Sequence, residues 1–386
     1  MLIEIKGVQF VNKGAELMLH AVLEQVQSFW PEADIVLAPN AYSPYTERAR
    51  MGAYQKMNWR INRFDFNGLQ YLLPTKLRAY MKRKWGIVTE ADVDVLLDAS
   101  GFAYGDQWSP IKTAHLAREL KRFAKQSKAF VFLPQALGPF TRSADVKHLK
   151  AQLPKAALIC ARESDSYRYV ADVIGDSERL QQFPDFTNLV SPLVPDYFTN
   201  GDKKVLIIPN SNMVGERNNH QPKWRENYLR VLLDAVSVIR EQGLQPVLLN
   251  HEGKGDGDLC QQIKAQSPDG DSIEYIQESH PLKVKGIIGQ SYAVICSRFH
   301  GCVSALSQGT PCLGTSWSHK YERLFDEYHR SEFLITPEIT REQLQQSLEQ
   351  AVSSKDENNY QQAIADYKDQ ARAMWQAVEQ AVREGT

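Results

Sequence analysis

Short apolar runs alternate with longer segments whose apolar positions recur every three or four residues, and this alternation fills two successive stretches of the chain. In the first, "LIEIKGVQF" reads as a strand, "GAELMLHAVLEQVQSF" has apolar residues at helical spacing, and "ADIVLAP" is again a strand. A less regular basic and aromatic segment runs from Tyr54 to Trp85. After it come the strand "VDVLLDAS", the helical "IKTAHLARELKRFAKQS", and the strands "AFVFLPQ" and "ALICARE". "VSPLVPDYFTNGDKK", from Val190 to Lys204, is rich in Pro, Gly, Asn and Asp and reads as a linker. Beyond it "KVLIIPN", "QPVLLNH", "IEYIQE", "YAVICS" and "TPCLGTSW" are strand-like. Between them lie the helical "WRENYLRVLLDAVSVIREQG", "GDLCQQIKAQS", "PLKVKGIIGQS" and "GCVSALSQG".

Such βα repetition predicts largely parallel sheets covered by helices. The boundaries implied are an N-terminal domain over residues 1–195, a C-terminal domain over 203–338, and a polar helical tail over 339–386. A length of 386 residues with 43% hydrophobic content suits a two-domain globular protein. Ligand contacts are then expected at the carboxyl ends of strands.

Charge changes the picture mainly by exclusion. Lys and Arg total 45 against 46 Asp and Glu, so no global field draws the chain to nucleic acid or to an anionic membrane. No apolar run approaches the roughly 20 residues that span a bilayer, and the N-terminus reads as a strand, not a signal peptide; the expected location is cytoplasmic. Cys160, Cys260, Cys296, Cys302 and Cys312 lack CxxC spacing and read as small buried thiols, with a nucleophilic role for Cys302 disfavoured. No His/Asp/Glu cluster has metal-ligand spacing, so neither metal nor cofactor is expected. "HEGKGDGD", from His251 to Asp258, lacks the EF-hand pattern and reads as a flexible loop.

Candidate chemistry concentrates in "YAVICSRFHGCVSALSQGTPC". A buried strand ends at Ser297, so Arg298, Phe299 and His300 fall at its carboxyl edge, and Gly301 allows a tight turn and close approach of a ligand to the backbone. A helix expected from Gly301 onward offers free N–H groups and the positive end of its dipole at the same point, which suits an anion. Arg298 adds a planar fork, and His300 a group that exchanges protons near neutrality. Lys320 is close enough in sequence to reach the same place, although a solvated helix-start lysine explains it as well.

The segment "SRFHGCVSALSQGTPCLGTSWSHK" resembles the C-terminal signature of the polysaccharide pyruvyl transferase family: an S-R-x-H-G turn, a small-residue helix, G-x-P, a strand and a downstream Lys. "FVNKGAELML", "DASGFAYGD", "FLPQALGPF", "ARESDSYRYV" and "FPDFTNLV" resemble further family segments in the expected order. The resemblance implies an α/β fold of two Rossmann-like domains facing across a cleft, similar to glycosyltransferase type B. It also implies phosphoenolpyruvate as donor, with the pyruvyl group ending as a ketal on a sugar of a cell-surface polysaccharide or its precursor. Where the family often has Asn-x-Gly-Asp, this chain has Asn12, Lys13, Gly14, Ala15 and then Glu16, a carboxylate shifted by one position.

For the site, the resemblance nominates Arg298 and Arg162 with the Phe299, His300 and Gly301 backbone for the donor, and His300 as proton donor. Glu16, Asp98 and Asp106 are the available bases, and Asn12, Gly14, Gln135 and Lys320 complete the set. Each has a plainer reading. Glu16 suits a first helical turn, Asp98 a strand-edge turn, Gln135 a turn amide, and Arg162 an ion pair with a nearby acid. The expected partners are phosphoenolpyruvate and a sugar or lipid-linked oligosaccharide, the latter compatible with peripheral membrane association; nucleic acid is not expected, and the sequence does not indicate an oligomeric state. Two alternatives stay open. One is a nucleotide-sugar glycosyltransferase with Glu322 or Asp326 gripping the donor. The other is a non-catalytic sugar-binding protein using Tyr104, Trp108, Trp224 and Tyr228 as stacking platforms.

Overall fold

The computed structural model describes residues 1–215, 218, 221–316 and 319–385. It forms two compact units. The first comprises Met1–Phe10, Met18–Phe186 and Gln370–Thr386; the second comprises Val11–Leu17 and Thr187–Asp369. The short Val11–Leu17 segment thus groups with the second unit although it lies next to the first strand in sequence.

Strands of the first unit are β1 (Leu2–Lys6), β2 (Asp34–Leu37), β3 (Tyr54–Lys56), β4 (Arg60–Ile61), β5 (Phe64–Asp65), β6 (Ile87–Val88), β7 (Val95–Asp98), β8 (Phe102–Tyr104), β9 (Ala129–Leu137), β10 (Leu158–Ala161) and β11 (Leu180–Gln182). Its helices are most of α1 (Lys13–Phe29), then α2 (Tyr45–Arg50), α3 (Thr75–Trp85), α4 (Pro110–Lys125), α5 (Ser143–Gln152) and α6 (Ser164–Ile174). The nine-stranded sheet runs β11-β10-β9-β7-β1-β2-β3-β6 with β8 beside β9, while β4 and β5 make a separate antiparallel hairpin. Strand order reverses between β1 and β7, as in a Rossmann-like fold. Phe123, Phe130 and Phe132 pack in the core, with Phe130 and Phe132 ring centroids 4.9 Å apart.

One face of this sheet holds a buried ionic network rather than apolar side chains alone. Glu4 and Lys6 share a face of β1 because strand side chains alternate. Lys56 of β3 lies 2.5 Å from Glu4, and Glu119 of α4 lies 2.6 Å from Lys6 and 3.2 Å from Arg60. Buried charges persist only where partnered in this way.

The second unit has β12 (Lys204–Ile208), β13 (Gln245–Leu249), β14 (Glu274–Ile276), β15 (Ala293–Cys296), β16 (Cys312–Thr315) and β17 (Leu334–Ile335). Its helices are α7 (Pro222–Glu241), α8 (Gly253–Gln266), α9 (Pro281–Gln290), α10 (Phe299–Leu306), α11 (His319–Glu327) and α12 (Arg341–Ser353). α13 (Asn358–Gly385) begins here and ends in the first unit, so the expected tail consists of two helices. Strand order is β14-β13-β12-β15-β16-β17, all parallel, the Rossmann order with its switch point between β12 and β15. The chain alternates as its pattern predicts, and α7 ends where Gly243 adopts a φ of +73°. Trp317, the last residue of the expected strand "TPCLGTSW", lies outside the described residues.

Three expectations need correction. The helix after Ser297 starts at Phe299, two residues before Gly301, so Gly301 sits inside a helical turn. "HEGKGDGD" is not a loop: α8 starts at Gly253, with Asp256 in its first turn where a carboxylate opposes the dipole. Its glycines fit because a Cβ at Gly255 would collide with Ser211 and one at Gly257 with Asn250. Tyr104, Trp224 and Tyr228 are buried in the cores and unable to stack on a sugar; Trp108 alone of the four is partly exposed. Among the described residues, no helix is long and apolar enough to cross a membrane.

Candidate active site

In the second unit, polar side chains gather at the carboxyl ends of β12, β13 and β15, beside the switch point. Ser297, just past β15, anchors the turn. Its hydroxyl accepts from Tyr228 at 2.6 Å and meets Thr315 at 2.8 Å, while its carbonyl accepts from Asn210 and from Tyr321 at 2.9 Å each. These bonds satisfy buried polar groups and fix the direction in which Arg298 leaves the strand.

Arg298 is buried, and its guanidinium is already engaged. Nε donates to Asp256 Oδ2 at 2.8 Å, Nη2 donates to Asp256 Oδ1, and Nη1 meets Glu252. A guanidinium has five N–H donors, so these three bonds leave two N–H groups that no described residue takes up. Burial alone would lower the Arg298 pKa, but Asp256 and Glu252 hold it above its usual value. Arg298 is also the N-cap of α10, where Phe299, His300 and Gly301 form the first turn. The room a side chain would need at Gly301 is filled by Cys296 Sγ, so that glycine serves helix-to-strand packing.

His300 is half-buried and meets the Phe299 ring edge-on, with centroids 5.5 Å apart. The N-terminal segment comes up against it. A Cβ on Gly14 would overlap the imidazole at Nδ1, so this position accepts only glycine if the ring is to stay. Asn12 holds that segment: its backbone bridges Glu252, and its Oδ1 accepts from the amides of Gly14 at 2.9 Å and Ala15 at 3.2 Å. Lys13 Nζ lies 2.5 Å from Glu16 one turn along α1. Lys320 Nζ lies 4.9 Å from the Phe299 ring centroid, within cation–π range.

Sequence reasoning missed three residues here: His251, Glu252 and Asp256. His251 follows β13, is buried, and its Nδ1 has no hydrogen-bond partner among the described residues. Burial, then the charges of Arg298, His300 and Lys13, push its pKa down to about 3, so it is neutral at physiological pH. The readable signal was the end of the strand "QPVLLNH", the same kind of position that singled out Arg298.

The remaining nominated residues belong to the first unit, at the carboxyl ends of β7 to β10. Asp98 is fully buried and occupied: Oδ2 accepts from Tyr104 at 2.7 Å, Oδ1 accepts from Ser100, and Lys6 lies 3.6 Å away. Gln135 is buried and donates to the Asp98 carbonyl at 3.2 Å, while its own Oε1 has no hydrogen-bond partner among the described residues. Arg162 donates its amide to the Gln135 carbonyl at 3.1 Å, and its side chain lies 3.4 Å from Asp185 and 3.5 Å from Glu163. Asp106 accepts from the Thr141 amide at 2.8 Å; against the raising effect of burial, Thr141 and then Arg142 hold its carboxyl below the usual value. Burial pushes the Cys302 thiol well above its ordinary range, which leaves it unreactive.

The family model described as "Polysaccharide pyruvyl transferase" matches residues 12–319, a span that includes both groups of residues. The chain belongs to this family. No curated protein matches it at a significant level. Among solved structures, this pyruvyl transferase family member is similar to a UDP-N-acetylglucosamine 2-epimerase from Rickettsia bellii, with a TM-score of 0.57, 13% identity, and coverage of 99% of this chain and 96% of that one. A glycosyltransferase from Rickettsia africae gives a TM-score of 0.57 at 10% identity, covering 100% and 98%. The Methanocaldococcus jannaschii UDP-GlcNAc 2-epimerase in complex with UDP-GlcNAc and UDP gives 0.55 at 10% identity, covering 97% and 98%. At such identity these likenesses establish the fold alone: two Rossmann-like domains of the type B glycosyltransferase kind.

Proposed function

We propose that this family member transfers the pyruvyl group of phosphoenolpyruvate, in the cytoplasm, to two hydroxyls of a sugar in a polysaccharide precursor. The observation that carries the reading is the convergence of Arg298, His300 and the α10 N-terminus with Lys13 and His251 at one strand-end position of a chain in this family. A small dianion or trianion needs several N–H donors in a small volume. The two uncommitted N–H groups of Arg298 and the first-turn amides of α10 supply them. In the first unit, Arg162 offers a guanidinium of its own to an anionic group.

A proton adds to the methylene carbon of phosphoenolpyruvate, and a sugar hydroxyl attacks the resulting cationic carbon, losing its proton. The carbon–oxygen bond to phosphate then breaks with a proton delivered to phosphate, and a second sugar hydroxyl adds and loses its proton. The two hydroxyl protons equal the two delivered, and the products are the ketal and inorganic phosphate. His300 delivers protons, and Glu16 on the adjoining helical turn accepts one. His251 contributes an uncharged ring nitrogen, which orients the donor without adding a further positive charge. Asp98 is fully occupied within its own unit, where its carbonyl accepts from Gln135 of β9; Asp106, held ionised by Thr141 and Arg142, is a weak base.

The test is thermal unfolding with phosphoenolpyruvate, UDP or GDP on the wild type, Arg298→Lys and His300→Asn. It is followed by mass spectrometry of sugar acceptors for a pyruvate ketal. Saturable stabilisation by phosphoenolpyruvate, weakened in Arg298→Lys, is expected. Because the fold also houses UDP-GlcNAc in a solved neighbour, a nucleotide-sugar donor is the second reading. Stabilisation by UDP or GDP with none by phosphoenolpyruvate would move the protein to that class.

A further inference from the structure

Between β3 and β6, at one edge of the first unit's sheet, the chain turns its usual polarity inside out. In the 3-10 turn Asn67–Leu72 the buried residues are Asn67 and Gln70, whereas Leu69 and Leu72 face outward, Leu72 with 79% of its surface exposed. The turn is held from behind by polar bonds. Asn67 Oδ1 accepts from the Trp59 amide at 2.7 Å, and Gln70 donates to the Met57 carbonyl and accepts from the Glu90 amide. The preceding hairpin β4–β5 is tied down by Asp65 to Arg60 and Arg122, and leaves Ile61, Phe64 and Phe66 exposed. α3 follows with Met81 as its one buried residue, and it presents Leu77, Tyr80 and Trp85 to solvent. Exposed apolar side chains gathered over so short a stretch mark an interaction surface.

Charge selects the partner. Residues 60–85 contain seven Lys or Arg and one acidic residue, Asp65, whose side chain is fully buried; Arg60, Arg78 and Lys82 are paired with Asp65, Asp92 and Asp34, and Arg63, Lys76, Arg83 and Lys84 stand exposed. On the outer face of α3, Leu77 and Tyr80 interleave with Lys76, Arg83 and Lys84 at i, i+3, i+4 and i+7 spacing. A protein interface depletes Lys at its core. A bilayer of anionic lipid accepts both components: apolar side chains enter the headgroup boundary, long basic side chains stay with the phosphates, and a Tyr–Trp pair sits at the interface. Tyr80 and Trp85 form such a pair, edge-on with centroids 5.5 Å apart.

We propose that the face formed by the β4–β5 hairpin, the Asn67–Leu72 turn and α3 docks on an anionic membrane surface. This does not depend on the pyruvyl-transfer reading; it extends it by bringing the enzyme to an acceptor anchored in lipid.

The experiment is co-sedimentation of the full-length protein with phosphatidylcholine vesicles, with and without phosphatidylglycerol, at low and high salt. Two triple variants accompany it: Leu69→Ser/Leu72→Ser/Leu77→Ser and Lys76→Glu/Arg83→Glu/Lys84→Glu. All six positions are exposed or edge positions, so both variants should keep wild-type circular dichroism and unfolding. The wild type should bind the anionic vesicles and be weakened by salt. The charge variant should lose about a hundredfold or more in partitioning, at roughly tenfold or less per basic residue. The serine variant should lose the binding that survives high salt. A wild type that stays in the supernatant with anionic vesicles, or variants that both bind like wild type, would overturn the proposal. So would a wild-type dimer, indifferent to vesicles, that the serine variant dissociates in sedimentation velocity. Phosphoenolpyruvate stabilisation, measured on the same samples, reports on the chemistry separately.

Discussion

Arg298 and Asp256 are joined at two points, Nε to Oδ2 at 2.8 Å and Nη2 to Oδ1, across 42 residues of sequence. The pair links the β15–α10 turn to the first turn of α8 and is buried on both sides. Asp256→Ala leaves a buried guanidinium short of its main counter-charge and should cost roughly 3–5 kcal/mol of unfolding free energy. Urea denaturation followed by circular dichroism measures this. A loss under about 1 kcal/mol would mean that the pair is not holding the turn.

Gly14 faces the His300 imidazole so closely that any Cβ would displace the ring. A ring moved by about 1 Å can cost on the order of a hundredfold in rate, so Gly14→Ala should reduce turnover by about that factor while leaving Tm nearly unchanged. The control is the same substitution in a His300→Gly background, where both the ring and the Cβ that a side chain at position 14 would meet are gone, and no further loss is expected. Additive losses in the two backgrounds would show that Gly14 acts by some route other than His300.

In the first unit, Glu119 accepts from Lys6 at 2.6 Å and lies 3.4 Å from Lys56 and 3.2 Å from Arg60. Burial would raise its pKa, but Lys6, then Arg60 and Lys56, hold it well below the usual carboxylate value. A depressed carboxylate adds stability above its unfolded pKa, and that stability is lost as acidification approaches the folded value. Glu119→Leu should therefore destabilise the protein at pH 7 by roughly 3–5 kcal/mol, because three cations lose their shared partner. The deficit relative to wild type should shrink as pH falls below about 4.5. A pH series of denaturation curves on both proteins measures it.

The sequence and the structure agree where local pattern decides. β12, β13 and β15 are apolar runs at the positions their periodicity implies, and "SRFHG" does sit where a strand ends and a helix begins. They diverge where a partner lies far along the chain. Nothing near Arg298 announces Asp256, and three glycines in "HEGKGDGD" argue for a loop; two of them, Gly255 and Gly257, are accommodated in α8 because Ser211 and Asn250 occupy the space of the missing side chains. Asp98, a candidate base by its strand-edge position, is held by Ser100 and Tyr104 within its own turn and by Lys6, which the pairing of β1 with β7 brings alongside. The inverted polarity of Asn67 and Gln70 was likewise invisible to periodicity, because their burial depends on the main chain of Trp59, Met57 and Glu90.

His251 provides a test that reads the site in the free protein. Its folded pKa is about 3 against an ordinary value of 6.5, held down first by burial and then by Arg298, His300 and Lys13. Between those two values the unfolded chain takes up a proton that the folded protein refuses, so stability falls as pH drops through this window, by about 1.4 kcal/mol per pH unit. His251→Gln removes that contribution, and by about pH 4.5 the wild type should have lost roughly 2–3 kcal/mol more than the variant relative to pH 7. An anion bound beside Arg298 and Lys13 offsets the positive field, so phosphoenolpyruvate should raise the His251 pKa, visible as a shifted titration of its ring Cε1 resonance. The same resonance titrating near 6.5 in the free protein, with equal acid sensitivity in wild type and variant, would show that His251 is solvated and not part of the site.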